Sequence, residues 1–262
     1  MQITCLVEDS SIDVNFKAEH GLSLHIYSNK NILFDMGATD LFLVNARKLG
    51  IDIRDVDIAF ISHGHYDHGG GLPYFLKENQ KANVYLKKEA VNKYYAKDDG
   101  SWREIGLNIE KEKRIKFLSK NKSFGNIHVI TEINKKFPQY KEPLYKKSNK
   151  NLILDDFSHE LFLVIEEKNW ISIITGCSHN GILNIVDTAY RHFGNKTIKL
   201  LIGGFHMINL STEKIKFIAD KLSEYPIQMI YTGHCTGENA YNVLKSKIGN
   251  VMKLQTGLTI NI

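Results

Sequence analysis

Ser62-His63-Gly64-His65-Tyr66-Asp67-His68-Gly69-Gly70-Gly71 follows directly on the apolar run at 56–61. A short continuous apolar run bounded by turn residues reads as a buried strand. The histidines and the aspartate therefore leave the end of a core strand. Imidazole and carboxylate are the ligands that a borderline cation such as zinc prefers. In extended backbone, side chains two apart point the same way, so His63 and His65 face one centre. If the chain then turns into a helix, Asp67 and His68 face a second centre close by. Gly64 and Gly69-Gly70-Gly71 allow a tight bend and a close backbone approach.

The rest of the sequence sets the bounds. The chain has 262 residues, 43% hydrophobic and 24% charged, which is ordinary for a soluble globular protein. This composition excludes a collagen, a coiled coil and a disordered tail. Cys5, Cys177 and Cys235 are too few and too scattered for a disulfide framework. No apolar run reaches the roughly 18 residues of a membrane span. The start, Met1-Gln2-Ile3-Thr4-Cys5-Leu6, reads as a strand and not as a secretion signal, so the expected location is the cytoplasm.

Eleven histidines and a net charge of +5 stand out. Between 111 and 150 there are twelve Lys/Arg against Glu112, Glu132 and Glu142, a local net of +9 that leaves −4 for the remainder. A Lys-rich stretch is commonly a solvated surface. It can also attract an anionic substrate through its local potential. Phe117, Phe124, Phe137, Tyr140 and Tyr145 lie within it, which argues against simple disorder.

Strands are expected at 3–7, 22–27, 32–34, 56–61, 84–86, 127–130, 161–165, 170–175, 200–202, 227–231 and within 251–260. Helices are expected at about 40–48, 73–77, 88–97, 182–193, 212–222 and 238–247. Gly50 and Gly194 mark two of the helix ends. There is no tandem repeat and no Pro/Gly/Ser-rich linker. The alternation favours sheets packed together with helices outside.

With these residues in view, the sequence resembles the metallo-β-lactamase superfamily. His63-Gly64-His65-Tyr66-Asp67-His68 resembles its His-x-His-x-Asp-His signature. Phe34-Asp35-Met36-Gly37 resembles its Asp-x-Gly loop, and Tyr231-Thr232-Gly233-His234 its late Gly-His loop. Glu19-His20-Gly21, Gly176-Cys177-Ser178-His179, Gly203-Gly204-Phe205-His206 and Gly233-His234-Cys235 occur in the same order as in a narrower branch. That branch is named for a dihydropteroate-synthase-like activity and is associated with a pterin-linked aminobenzene ribofuranosyl phosphate synthase.

The resemblance implies an α/β fold, a four-layer αββα sandwich of two mixed sheets flanked by helices. It implies one domain over 1–262, with a basic substrate-side insertion at about 98–157. It implies two divalent ions, zinc first and iron or manganese as alternatives. Of these, Asp67, His68 and His234 would hold one. His63 and His65 would hold the other, completed by His179. Asp35 would anchor a ligand histidine from behind.

One departure stands. The superfamily's bridging aspartate is missing after the strand at 170–175, where Thr175-Gly176-Cys177-Ser178-His179 follows. His179, Cys177 or His159 can supply the missing ligand. His206 and His20 are candidates for ligand, acid or substrate contact.

The implied chemistry is hydrolysis of a small anionic ester, lactone or phosphoester by a hydroxide held between two metals. Asp67 would orient the hydroxide and then protonate the leaving group, with His206 as a further catalytic candidate. A synthase on the same fold is the alternative, and a nucleic-acid phosphodiesterase a more distant one. The expected partner is a small anionic molecule, with no membrane and with nucleic acid disfavoured.

Overall fold

The computed structural model describes residues 1–140 and 143–262; Lys141 and Glu142 of the basic segment lie outside the described residues. The chain divides into two compact units. The first comprises Met1–Ser119, Lys141–Glu160 and Gln255–Ile262, and the second Lys120–Tyr140 and Leu161–Leu254.

Among the described residues of the first unit, a seven-stranded mixed sheet runs in the order Thr259–Asn261, Gln2–Val7, Ser23–Tyr27, Asn31–Phe34, Ile58–Phe60, Asn83–Lys87, Ile115–Leu118. The strands from Asn31–Phe34 to Ile115–Leu118 are parallel. Their carboxyl ends point one way, and the loops that leave them carry Asp35 and Ser62–His65 side by side. The Asp35 amide donates to the Phe60 carbonyl at 2.9 Å.

Helix Leu41–Lys48 buries Phe42, Leu43 and Ala46 on one face, which is helical spacing. The Thr39 hydroxyl accepts the Leu41 amide at its start. Its buried Asn45 donates to the Leu6 carbonyl at 2.8 Å, tying the helix to the first strand. The core beneath contains Leu6, Leu33, Met36, Ala59, Leu72 and Phe75. Each such large side chain contributes on the order of 1.5–3 kcal/mol by leaving water.

The expected helix at 88–97 does not form. A 3-10 turn covers Lys88–Val91, and strand Tyr94–Asp98 then pairs antiparallel with Ser101–Glu104. Asp99 and Gly100 both have positive φ, at 45° and 90°. Asp-Gly at the tip of a two-residue hairpin is the residue pair that this backbone demands. The hairpin joins Tyr145–Ser148 and Asn151–Leu154 in a separate four-stranded sheet.

In the second unit, among the described residues, another seven-stranded sheet runs Val251–Lys253, Ile230–Gly233, Thr197–Gly204, Trp170–Ile174, Phe162–Glu166, Ile127–Ile130, Lys122–Phe124. The first four of these are parallel neighbours and the rest antiparallel. Helices Ile182–His192, Thr212–Leu222 and Glu238–Ile248 bury Ile185, Val186, Ile215, Ala219 and Leu244 in its core.

The basic segment is built into both units. Arg114 donates to the carbonyls of Leu76 and Asn79, at the end of helix Leu72–Glu78. In the second unit Lys136 pairs with Asp187 at 2.9 Å. No helix of the described residues is long and apolar enough to cross a membrane.

Candidate metal centre

In the first unit, the turn after Ile58–Phe60 brings His63, His65 and His68 together. The His63 ring centroid lies 4.6 Å from that of His65 and 4.2 Å from that of His68. All three rings are buried, and so is Asp67. The chain turns into the short helix Tyr66–Gly69 directly after His65, so Asp67 and His68 leave the strand direction as expected. Gly71 makes this turn possible. A Cβ there would stand 2.2 Å from the Met36 carbonyl oxygen, closer than any real Cβ.

Asp35 organises these imidazoles. Its Oδ1 accepts the Ser62 amide at 2.7 Å, and its Oδ2 accepts both the Ser62 hydroxyl and His68 Nδ1, each at 2.7 Å. A carboxylate can only accept, so the Ser62 proton points at Asp35. Ser62 Oγ is therefore the acceptor for His63 Nδ1, 2.8 Å away. The network places a proton on Nδ1 of both His63 and His68 and makes Nε2 the basic nitrogen of each. Fixing the tautomer in this way is what a metal-ligating imidazole requires.

Burial, and next the neighbouring His159, push the His65 pKa down to about 3. His65 is therefore neutral at physiological pH, the ligand form.

His20 is exposed, with Nδ1 3.0 Å from Asp9 Oδ2 and Nε2 3.6 Å from Asp67 Oδ2. His159 is buried with both ring nitrogens in hydrogen bonds, to Gly64 and to Asp155.

In the second unit, the loops leaving three adjacent parallel strands carry the remaining candidates. The ligand atoms of Cys177, His179 and His206 lie within 4.8 Å of one another. The His179 and His206 ring centroids are 4.3 Å apart. The loops are tied together by Ser178 Oγ, which donates to the Gly204 carbonyl at 2.7 Å, and by the Phe205 amide, which donates to Thr236 Oγ1 at 2.9 Å.

Ser178, His206 and His234 all have positive φ, between 47° and 62°. Non-glycine residues held there cost energy and cluster at functional sites. His234 is buried at the start of the last of these loops. Burial alone would raise the Cys235 thiol. Its hydrogen bond with Cys177 and the nearby His234 and His206 instead hold it well below the ordinary cysteine range.

The donor chemistry fits divalent cations. Buried imidazoles, two of them with a fixed Nδ1 proton, a buried carboxylate and a buried thiol are first-row transition-metal ligands. Ser62, Asp155 and Asp9 were not legible as site residues. The sequence signal for Ser62 is only its position before His63.

A family model described as "Metallo-beta-lactamase superfamily" matches residues 24–159, which include Asp35 and the whole His63–His68 cluster. The chain belongs to the metallo-β-lactamase superfamily.

Within that superfamily it is 31% identical to the 7,8-dihydropterin-6-methyl-4-(β-D-ribofuranosyl)-aminobenzene-5′-phosphate synthase of Methanocaldococcus jannaschii. That match covers 93% of this chain and 90% of the relative. A solved structure, Tm1679, described as a metal-dependent hydrolase of the β-lactamase superfamily, is 34% identical. It covers 100% of this chain and 99% of its own, with a TM-score of 0.88. Zn2+-bound PqqB from Methylobacterium extorquens, at 12% identity and a TM-score of 0.59 with full coverage of both chains, shares the fold. The narrow branch read from the Gly-His motifs is thus the one to which the synthase belongs, and the α/β metallo-β-lactamase fold is that of the chain.

Proposed function

We propose that the protein is a metal-dependent hydrolase of a small anionic ester, lactone or phosphoester. The observation that carries this reading is the Asp35 network, which presents the basic Nε2 of both His63 and His68 from one buried turn. Two divalent ions, zinc first, are the proposed cofactor. In the first unit His63 and His65 are the proposed ligands of one, and Asp67 and His68 of the other; in the second unit His179 and His234 are the proposed ligands. When bound, such ions supply Lewis-acid activation of an oxygen nucleophile and of the electrophile.

The chain's own residues do the rest. Asp67 is the proposed proton carrier to the leaving group. His20, set between Asp9 and Asp67 and open to solvent, is the group that would exchange that proton with water. His206 is a proposed substrate contact. The net charge of the 111–150 segment favours an anionic substrate.

A second reading is a synthase, and the 31% identity to the archaeal enzyme favours it specifically. The chemical name of that enzyme's product joins a 6-methyl dihydropterin to a ribofuranosyl-aminobenzene phosphate. Under this reading the amine takes the place of water, and Asp67 handles the amine proton.

One experiment separates the two. The metal-loaded protein is assayed against phosphomonoesters, phosphodiesters, lactones and thioesters. In parallel it receives an aminobenzene ribofuranosyl phosphate with a dihydropterin that bears a leaving group on its 6-methyl carbon. Turnover in the first set supports the hydrolase. Inactivity there with coupling in the second establishes the synthase reading instead.

A further inference from the structure

We propose that His159 is a positioning residue that clamps the turn between His63 and His65 through the Gly64 amide. This role rests on the metal-site reading above but concerns a different residue, from a segment that the ligand motif does not contain.

The hydrogen-bond directions decide the role. A backbone amide can only donate, so the 2.9 Å contact from Gly64 N makes His159 Nδ1 an acceptor. The ring proton therefore sits on Nε2 and points at Asp155 Oδ2, 2.8 Å away. His159 and Asp155 side chains have no exposed surface. The ligand atoms of His65, Asp155 and His159 lie close enough to suggest a metal site of their own. With Nδ1 occupied by an amide proton and Nε2 donating to a carboxylate, His159 has no lone pair to offer. It is support and not ligand.

The support is itself held on several sides. Asp155 Oδ1 accepts the Phe157 amide at 2.9 Å, and the Asp155 amide donates to the Leu144 carbonyl. Phe157 is buried at a positive φ of 54°, a conformation that a bulky residue adopts only when its surroundings enforce it. The Tyr94 ring lies 4.2 Å from the His159 ring, and its hydroxyl donates to the Glu89 carbonyl at 2.6 Å.

Gly64 fits the clamp because it has no side chain. A Cβ there would meet the Ala90 carbonyl oxygen at 2.5 Å and Tyr94 Cε2 at 2.8 Å. The four-stranded sheet and the 155–159 loop thus fix the backbone between the two histidines. A buried amide without this acceptor would have to move or stay unsatisfied.

The test compares His159→Asn with His159→Leu in the full chain. The Asn carbonyl can take the place of Nδ1 as acceptor, and Leu cannot. Two quantities are read: Zn2+ affinity by chelator competition, with the Co2+ visible spectrum as a reporter of geometry, and hydrogen exchange at the Gly64 amide. Expected is a loss of about 10–100-fold in metal affinity with an altered Co2+ spectrum for His159→Leu, and a value within about threefold of wild type for His159→Asn. Gly64 exchange should be about tenfold faster in His159→Leu alone.

Wild-type affinity in His159→Leu, or equal losses in both variants, overturns the proposal. If His159→Leu does not fold, His159→Asn decides. Near-wild-type affinity and exchange support the clamp, and a tenfold loss overturns it. If the wild type binds no metal, the functional reading fails. The clamp is then judged on Gly64 exchange alone, and equal exchange in all folded variants overturns it.

Discussion

Asp35 Oδ2 accepts the proton of His68 Nδ1 at 2.7 Å, with neither side chain exposed to solvent. The same oxygen takes the Ser62 hydroxyl, which in turn accepts from His63 Nδ1. One carboxylate therefore sets the tautomer of two candidate ligands. Asp35→Asn keeps the shape but weakens the acceptor, and Zn2+ affinity should fall roughly 10–100-fold by chelator competition. Ser62→Ala, which cuts only the His63 branch, should cost less than Asp35→Asn.

The depressed His65 pKa makes the metal-free protein acid-sensitive. The unfolded histidine takes up a proton near pH 6.5, whereas the folded one does so only at about 3. Between these values the unfolded state holds one more proton, so stability is full above about pH 6.5 and falls as pH drops. The slope for one such proton is about 1.4 kcal/mol per pH unit. His25 shifts in the same direction, chiefly through burial. Chemical denaturation of metal-free His65→Gln between pH 4 and 6 should show a slope smaller by about one proton than that of wild type.

Two glycines should respond very differently to alanine. At Gly71 a Cβ collides with backbone, 2.2 Å from the Met36 carbonyl, and Gly71→Ala should cost at least about 1–3 kcal/mol in urea denaturation. Gly50 has φ +70° but nothing within 4 Å of a Cβ. Gly50→Ala should cost only the left-handed backbone term, about 1–2 kcal/mol, with no change in metal affinity.

His20 bridges Asp9 and Asp67 while remaining open to water. If it carries the proton, His20→Gln should lower kcat by about 10²-fold with KM and metal content little changed. A rise in KM at constant kcat would assign His20 to substrate binding instead.

Much of this was legible before the fold. The apolar run ahead of Ser62 and the spacing of His63, His65, Asp67 and His68 announced a turn at a strand end that gathers candidate ligands, because strand periodicity is a local rule. The Asp99-Gly100 hairpin was legible in principle, but the Lys- and Ala-containing stretch around it has helical propensity. Strand pairing with Tyr145 and Lys146 on one side and with Ser101–Glu104 on the other overrode that propensity. Ser62 and the Asp155–His159 support could not be read. Their roles come from hydrogen bonds across 27 and 95 residues of chain, which no local pattern encodes.

Metal stoichiometry tests the central claim most directly. Wild type and His65→Ala are loaded with Zn2+, freed of excess and subjected to elemental analysis. About two ions per chain in wild type and at most about one in His65→Ala are predicted. Two ions in both proteins, or none in wild type, would contradict the account.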